Sequence, residues 1–189
     1  MTTLDVTLSI DIAQRINSKA TDCFDNAYKA ALLIEGSIYV QGFLVYTADP
    51  CIVVEYAWIE LNEQIIDPTL PHLNKNADEL YYFPAQRLTV KQLKAAIEEA
   101  QEDYPEDNPL PIYGAAPYEY YGEVMLGGAD YTTAHTEAVA KCEELNSKVI
   151  ELASVIERLE QNFENWANDL RQGKNSKVRW SQSVCGAWS

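Results

Sequence analysis

The sequence predicts an α+β fold, in which a helix packs on an antiparallel sheet and a long heptad-patterned helix follows. Three observations carry this. An apolar helix with good capping residues opens at Cys23, three strand-like runs follow in quick succession, and an unbroken apolar seam extends from Ala138 to Leu170.

At the start, Val6, Leu8, Ile10 and Ile12 alternate as in a short strand, while Ser9 would cap a helix running through Ile16. The pattern fits both. Thr21 and Asp22 are favoured N-cap types, and Ala27, Tyr28, Ala30, Ala31 and Leu32 give the next helix a buried face, with Gly36 as its C-cap. Cys23 therefore sits in a first helical turn, where unpaired N–H groups and the macrodipole favour a thiolate. Ile38–Tyr46 and Ile52–Leu61, rich in β-branched and aromatic residues, read as strands. Asn62-Glu63 turns tightly into a third, Gln64–Asp67. These strands form a meander packed on the Cys23 helix. Pro68 and Pro71 interrupt regular structure, and Glu79–Pro84 reads as a further strand. Thr89 and Gln92 form a capping box for a helix ending near Glu102. Residues 104–128 are rich in Pro and Gly and read as an irregular lid or linker.

From Ala138 the apolar spacing is 4-3-4-3 through Cys142, Leu145, Val149, Leu152, Ile156, Leu159, Phe163 and Trp166 to Leu170. This marks a helix of roughly 35 to 43 residues, about 50 to 65 Å long. With Cys142, Val149, Ile156, Phe163 and Leu170 at a, the leucines Leu145, Leu152 and Leu159 and also Trp166 fall at d. β-branched a residues with leucine at d favour a parallel two-stranded coil, hence a homodimer through 138–170. Ala153, Val155 and Ala167 occupy flanking positions where pairing charges are usual, and this wider stripe also suits packing on the chain's own domain. The expected organisation is a domain over 1–128, a helix over 129–174 and a tail over 175–189.

Composition narrows the function classes. Of 189 residues, 47% are apolar and 23% charged, ordinary for one globular domain with an appendage. The net charge of −15 argues against direct nucleic-acid binding and favours either a solvated acidic surface or a basic protein partner. The N-terminus lacks a basic segment leading into an apolar run, and no stretch approaches the roughly 20 apolar residues of a membrane helix. The expectation is a cytoplasmic protein. Cys23, Cys51, Cys142 and Cys185 are scattered and read as free thiols. Two histidines, at 72 and 135, argue against a zinc site, and no phosphate-binding glycine loop is present. Gly127-Gly128 is a weak anion cue that reads better as a hinge. No cofactor or metal is expected.

Cys23, then Tyr56-Ala57-Trp58-Ile59-Glu60, then Asp67-Pro68-Thr69 resembles the transglutaminase-like branch of the papain-like cysteine hydrolase superfamily. There a helix-borne cysteine precedes a strand reading His-Ala-Trp-x-Glu, and the next strand ends in Asp-Pro-Thr. Residues 38–43 are similar to the strand before that histidine in small bacterial and phage members. The resemblance covers about a quarter of the chain and implies a papain-like core, with Cys23 as nucleophile and Asp67 as the orienting acid. Tyr56 stands where the histidine would be. A phenol with an ordinary pKa near 10 is a poor general base at neutral pH, and the Cys–His ion pair that activates the thiol would be lost. The substitution implies a catalytically impaired domain that acts as a protein-binding module. The enzyme alternative, a cysteine-dependent amide hydrolase or acyl transferase using Cys23, needs another base. His72, five residues beyond Asp67, is the candidate, with His135 behind it, and Gln14 or Gln41 would serve an oxyanion hole. A third reading, carried by net charge alone, is an acidic inhibitor of a basic partner.

Overall fold

The computed structural model of the protein describes residues 2–48, 50–103, 105–106, 108–110 and 128–172. The elements run β1 (Thr3–Leu4), α1 (Val6–Ile16), α2 (Cys23–Leu33), β2 (Ile38–Tyr46), β3 (Ile52–Leu61), β4 (Gln64–Ile66), β5 (Leu80–Thr89), α3 (Val90–Asp103) and α4 (Gly128–Arg171), with 3₁₀ turns at Leu70–His72 and Ala77–Glu79. This is an α+β fold. The sheet order is β1-β4-β3-β2-β5, antiparallel except where β1 pairs with β4.

The meander forms as its sequence predicts. β2 and β3 pair over their full length, from Ile38 opposite Glu60 to Tyr46 opposite Ile52. The turn into β4 holds Asn62 at φ 49° and Glu63 at φ 63°, the left-handed pair that a two-residue hairpin turn requires. Residues 6–16 resolve as helix rather than strand. The cap is Asp5, whose carboxylate accepts from Leu8 N–H at 2.9 Å, and not Ser9, which lies inside the first turns. Gly36 does not cap α2. The helix ends at Leu33 with Ile34 as cap, and Gly36, at φ 79°, shapes the turn into β2. β5 runs past Pro84 to Thr89, beyond its expected end, because it is an edge strand and can carry a proline. There Gln41 faces Gln86 and Gly42 faces Pro84, leaving Ala85 as an extra residue. The capping box at the start of α3 is present, with Thr89 N–H donating to Gln92 Oε1 at 3.0 Å and Gln92 N–H to Thr89 Oγ1 at 3.3 Å.

Two compact units, Met1–Asn146 and Ser147–Ser189, divide the chain within α4. In the first unit, α1, α2 and α3 bury Ile12, Ala27, Ala30 and Leu93 with Tyr39, Ala57 and Ile59. The same odd-numbered face of β2 continues to Phe43 and Val45, which pack with Cys51, Ala85, Ala134, Ala138 and Cys142. The opposite face holds Val40, Leu44, Tyr56 and Trp58 against Ile65, Leu70 and Leu80. The first seam positions of α4 thus pack inside the domain, with Leu145 half-buried beside them. In the second unit the seam residues are exposed, Leu152, Leu159 and Phe163 by 62–66%. The 111–127 part of the Pro/Gly-rich segment and the tail from 173 on lie outside the described residues.

Gly42 is required by the bulge. A Cβ there would meet Phe83 O at 2.1 Å and Ala85 N at 2.8 Å, both backbone atoms. Gly42→Ala is expected to cost about 3 kcal/mol of stability, read as a lower urea midpoint. An unchanged midpoint would mean that β5 can move away freely.

Candidate functional site

The residues singled out in the sequence do come together. Antiparallel pairing sets Tyr56 in mid-β3, and β4 ends one residue before Asp67, so the 11-residue separation folds back on itself. The Tyr56 hydroxyl donates to both carboxylate oxygens of Asp67, at 3.2 Å to Oδ1 and 3.1 Å to Oδ2. Cys23 packs against the same apolar cluster as Tyr56.

Asp67 is the hub. It is 0% exposed. Besides Tyr56, it accepts from the Tyr82 hydroxyl (2.8 Å) and the Thr69 N–H (2.8 Å), while its own N–H donates to Ser9 Oγ at 2.9 Å. Ser9 in turn donates to Asp5 O at 2.6 Å. Among the described residues no Lys or Arg forms an ion pair with Asp67. A second clamp binds the start of α2 to the same loop. Asn26 Nδ2 donates to Thr69 Oγ1 (3.0 Å) and Lys19 O (2.7 Å), and Asn26 Oδ1 accepts from Lys19 N–H (3.0 Å).

Electrostatics follow from burial with no countercharge among the described residues. Burial pushes the Asp67 carboxyl up to about 6, although the Tyr82, Thr69 and Tyr56 donors pull the other way. The Tyr56 and Tyr82 phenols are pushed far above their ordinary range, first by burial and then by the neighbouring Asp67 charge, so both remain donors. Burial pushes the Cys23 thiol up to about 11, the Ala57 N–H opposes it, and the Asp67 charge adds to the rise. The thiolate expected at a helix start is not favoured here, since desolvation outweighs the helix end.

His72 is placed elsewhere. Its ring Nε2 lies 3.0 Å from Ser18 Oγ and 3.1 Å from Ser18 O on an exposed surface. His135 is exposed on α4 and meets Phe43 edge-on, with centroids 5.1 Å apart. Gln14 is exposed on α1, and Gln41 is buried on the sheet face away from Tyr56, accepting from the Tyr39 hydroxyl at 3.5 Å. Trp58 is core, edge-on to Tyr82 at 5.1 Å. Ser9, Asn26 and Tyr82 were not foreseen as site residues. Asn26 carried a signal, being a poor helix former on the buried face three residues after Cys23. Among the described residues no three of His, Cys, Asp and Glu gather to hold a metal ion, and no helix is long and apolar enough to cross a membrane.

Comparison with protein-family models, with curated proteins and with solved structures finds no match. The chemistry of the site is therefore argued from the residues themselves. They make a sealed acceptor with protonated donors around it, next to a protonated thiol.

The raised Asp67 pKa has a stability signature. The unfolded carboxyl loses its proton near pH 3.8, whereas the folded one holds it to about pH 6. Across that window the unfolded chain binds fewer protons, so this group lowers stability as pH rises. The rise from 3.8 to about 6 amounts to about 3 kcal/mol. Denaturation at successive pH values should show the wild type losing about this much relative to Asp67→Asn between pH 4 and 6. A constant difference between the two proteins would mean an ordinary carboxyl.

Proposed function

We propose that the first domain is a transglutaminase-like, papain-like frame in which cysteine chemistry has been silenced, and that the chain acts by binding another protein. The observation that carries this reading is the Tyr56 hydroxyl shared between both oxygens of Asp67. A catalytic imidazole in that place would use the carboxylate for orientation and keep its other nitrogen for the thiol. The phenol has one proton to give and gives it to Asp67. It then has no base to offer Cys23. The upward shift of the Cys23 thiol supports the same conclusion, as does the engagement of His72 with Ser18. The exposed apolar seam of α4 supports the binding role, because a stripe of this kind marks an interaction surface. The net charge of −15 adds long-range attraction for basic surfaces. A cytoplasmic setting is part of the proposal, in keeping with scattered cysteines that stay reduced.

The test is alkylation of the folded protein at pH 7. With its thiol pushed up to about 11, Cys23 should react on the order of 100-fold more slowly than an unperturbed cysteine. Rapid, stoichiometric labelling of Cys23 would make the enzyme reading the correct one. Tyr56→His should raise the labelling rate, because it returns a base to a frame that is otherwise assembled. No gain would count against the transglutaminase-like frame.

A further inference from the structure

The exposed part of α4 is an interface with a defined direction. We infer that residues 149–166 pair with the same stretch of a second copy of this chain, and that the two helices run antiparallel. This rests on the exposed seam that supports the binding role proposed above and names a second copy as the occupant of that seam alone, and it does not depend on whether Cys23 is reactive.

The argument starts from volume. Val149, Leu152, Ile156, Leu159, Phe163 and Trp166 form the a/d seam, and all six are exposed. In a parallel pair each residue meets its own copy. Phe163 would face Phe163 and Trp166 would face Trp166 in adjacent layers, while Val149 faced Val149 at the other end. Bulk would pile up at one end and leave the other thin, against the uniform spacing that knobs-into-holes packing requires. Antiparallel pairing about an axis between residues 157 and 158 matches a with d instead. Val149 then meets Trp166, Leu152 meets Phe163, and Ile156 meets Leu159, each twice by symmetry. Every layer combines one larger and one smaller side chain, or two of similar size. Ala153, beside Leu152, leaves room for the Phe163 ring of the second copy.

Charge agrees with this direction. Antiparallel flanks bring g against g and e against e, which sets Lys148 beside Asp169 of the second copy, and Ala153 beside Glu160. No like charges meet at these positions. The parallel arrangement would pair Lys148 with Ala153 and Val155 with Glu160, and gain no ion pair within 148–169. The β-branched residues Val149 and Ile156 alone favour a parallel coil. The two aromatic layers reverse that preference, because filling volume outweighs rotamer preference in a seam of six layers.

The test is a swap on the full chain, followed by sedimentation equilibrium. Trp166→Val and Val149→Trp should each weaken the dimer at least about tenfold, the first by leaving a gap and the second by setting Trp against Trp. The double variant V149W/W166V restores one Val and one Trp to the same layer. It should return to within about threefold of the wild-type Kd. A double variant as weak as the two single losses combined overturns the antiparallel register. Single variants without effect, or a wild-type chain that stays monomeric at high concentration, overturn self-pairing through this seam. Circular dichroism of each variant confirms that α4 is still helical, since these side chains are exposed within the chain. Slow alkylation of Cys23 in a monomeric chain would leave the silenced site standing while this inference fell.

Discussion

A carboxylate that meets no countercharge among the described residues lies at the centre of this domain, and the surrounding chain is arranged to satisfy it. Asp67 is fully buried, and an isolated charge in such a place is among the costliest features a fold can hold. Here the cost is offset by neutral donors drawn from separate elements: Tyr56 of β3, Tyr82 of β5 and the Thr69 amide. Ser9 of α1 accepts from the Asp67 backbone, and Asn26 of α2 holds Thr69. Four segments distant in sequence therefore converge on three consecutive residues, Asp67 to Thr69. Removing one donor costs more than a single hydrogen bond, because it leaves the acceptor that the others also serve less satisfied.

That convergence commits Tyr56 to Asp67. The phenol has one proton and gives it to the carboxylate, so the network closes on itself. No second polar group on that ring is left to turn toward the sulfur. The thiol stands at the head of α2, half-buried and desolvated. The site joins these segments into one unit.

The sequence conveyed much of this, and the reasons are physical. β2 and β3 were readable to the residue because Ile38–Tyr46 and Ile52–Leu61 are dense in β-branched and aromatic residues and bounded by turn formers. Tyr56 and Asp67 were readable as a pair because a two-residue turn fixes their register. The N-terminal segment was ambiguous because Val6, Leu8, Ile10 and Ile12 satisfy both periods, and the deciding cap, Asp5, lies just ahead of them. Tyr82 lay inside the expected strand Glu79–Pro84, but nothing in the sequence set that strand beside β2 or turned the phenol toward Asp67. The heptad seam was visible throughout, but periodicity cannot show that one helix face serves two environments, with Ala138 and Cys142 against Phe43 and Val45 and the later positions outside.

That division has a consequence for folding. The seam is continuous in sequence, and the folded sheet decides where its exposed part begins. With Ala138 and Cys142 packed on Phe43 and Val45, only the later positions remain exposed. A chain whose sheet has not yet closed would bare the whole stripe, so closing the sheet also shortens the apolar surface that the helix carries.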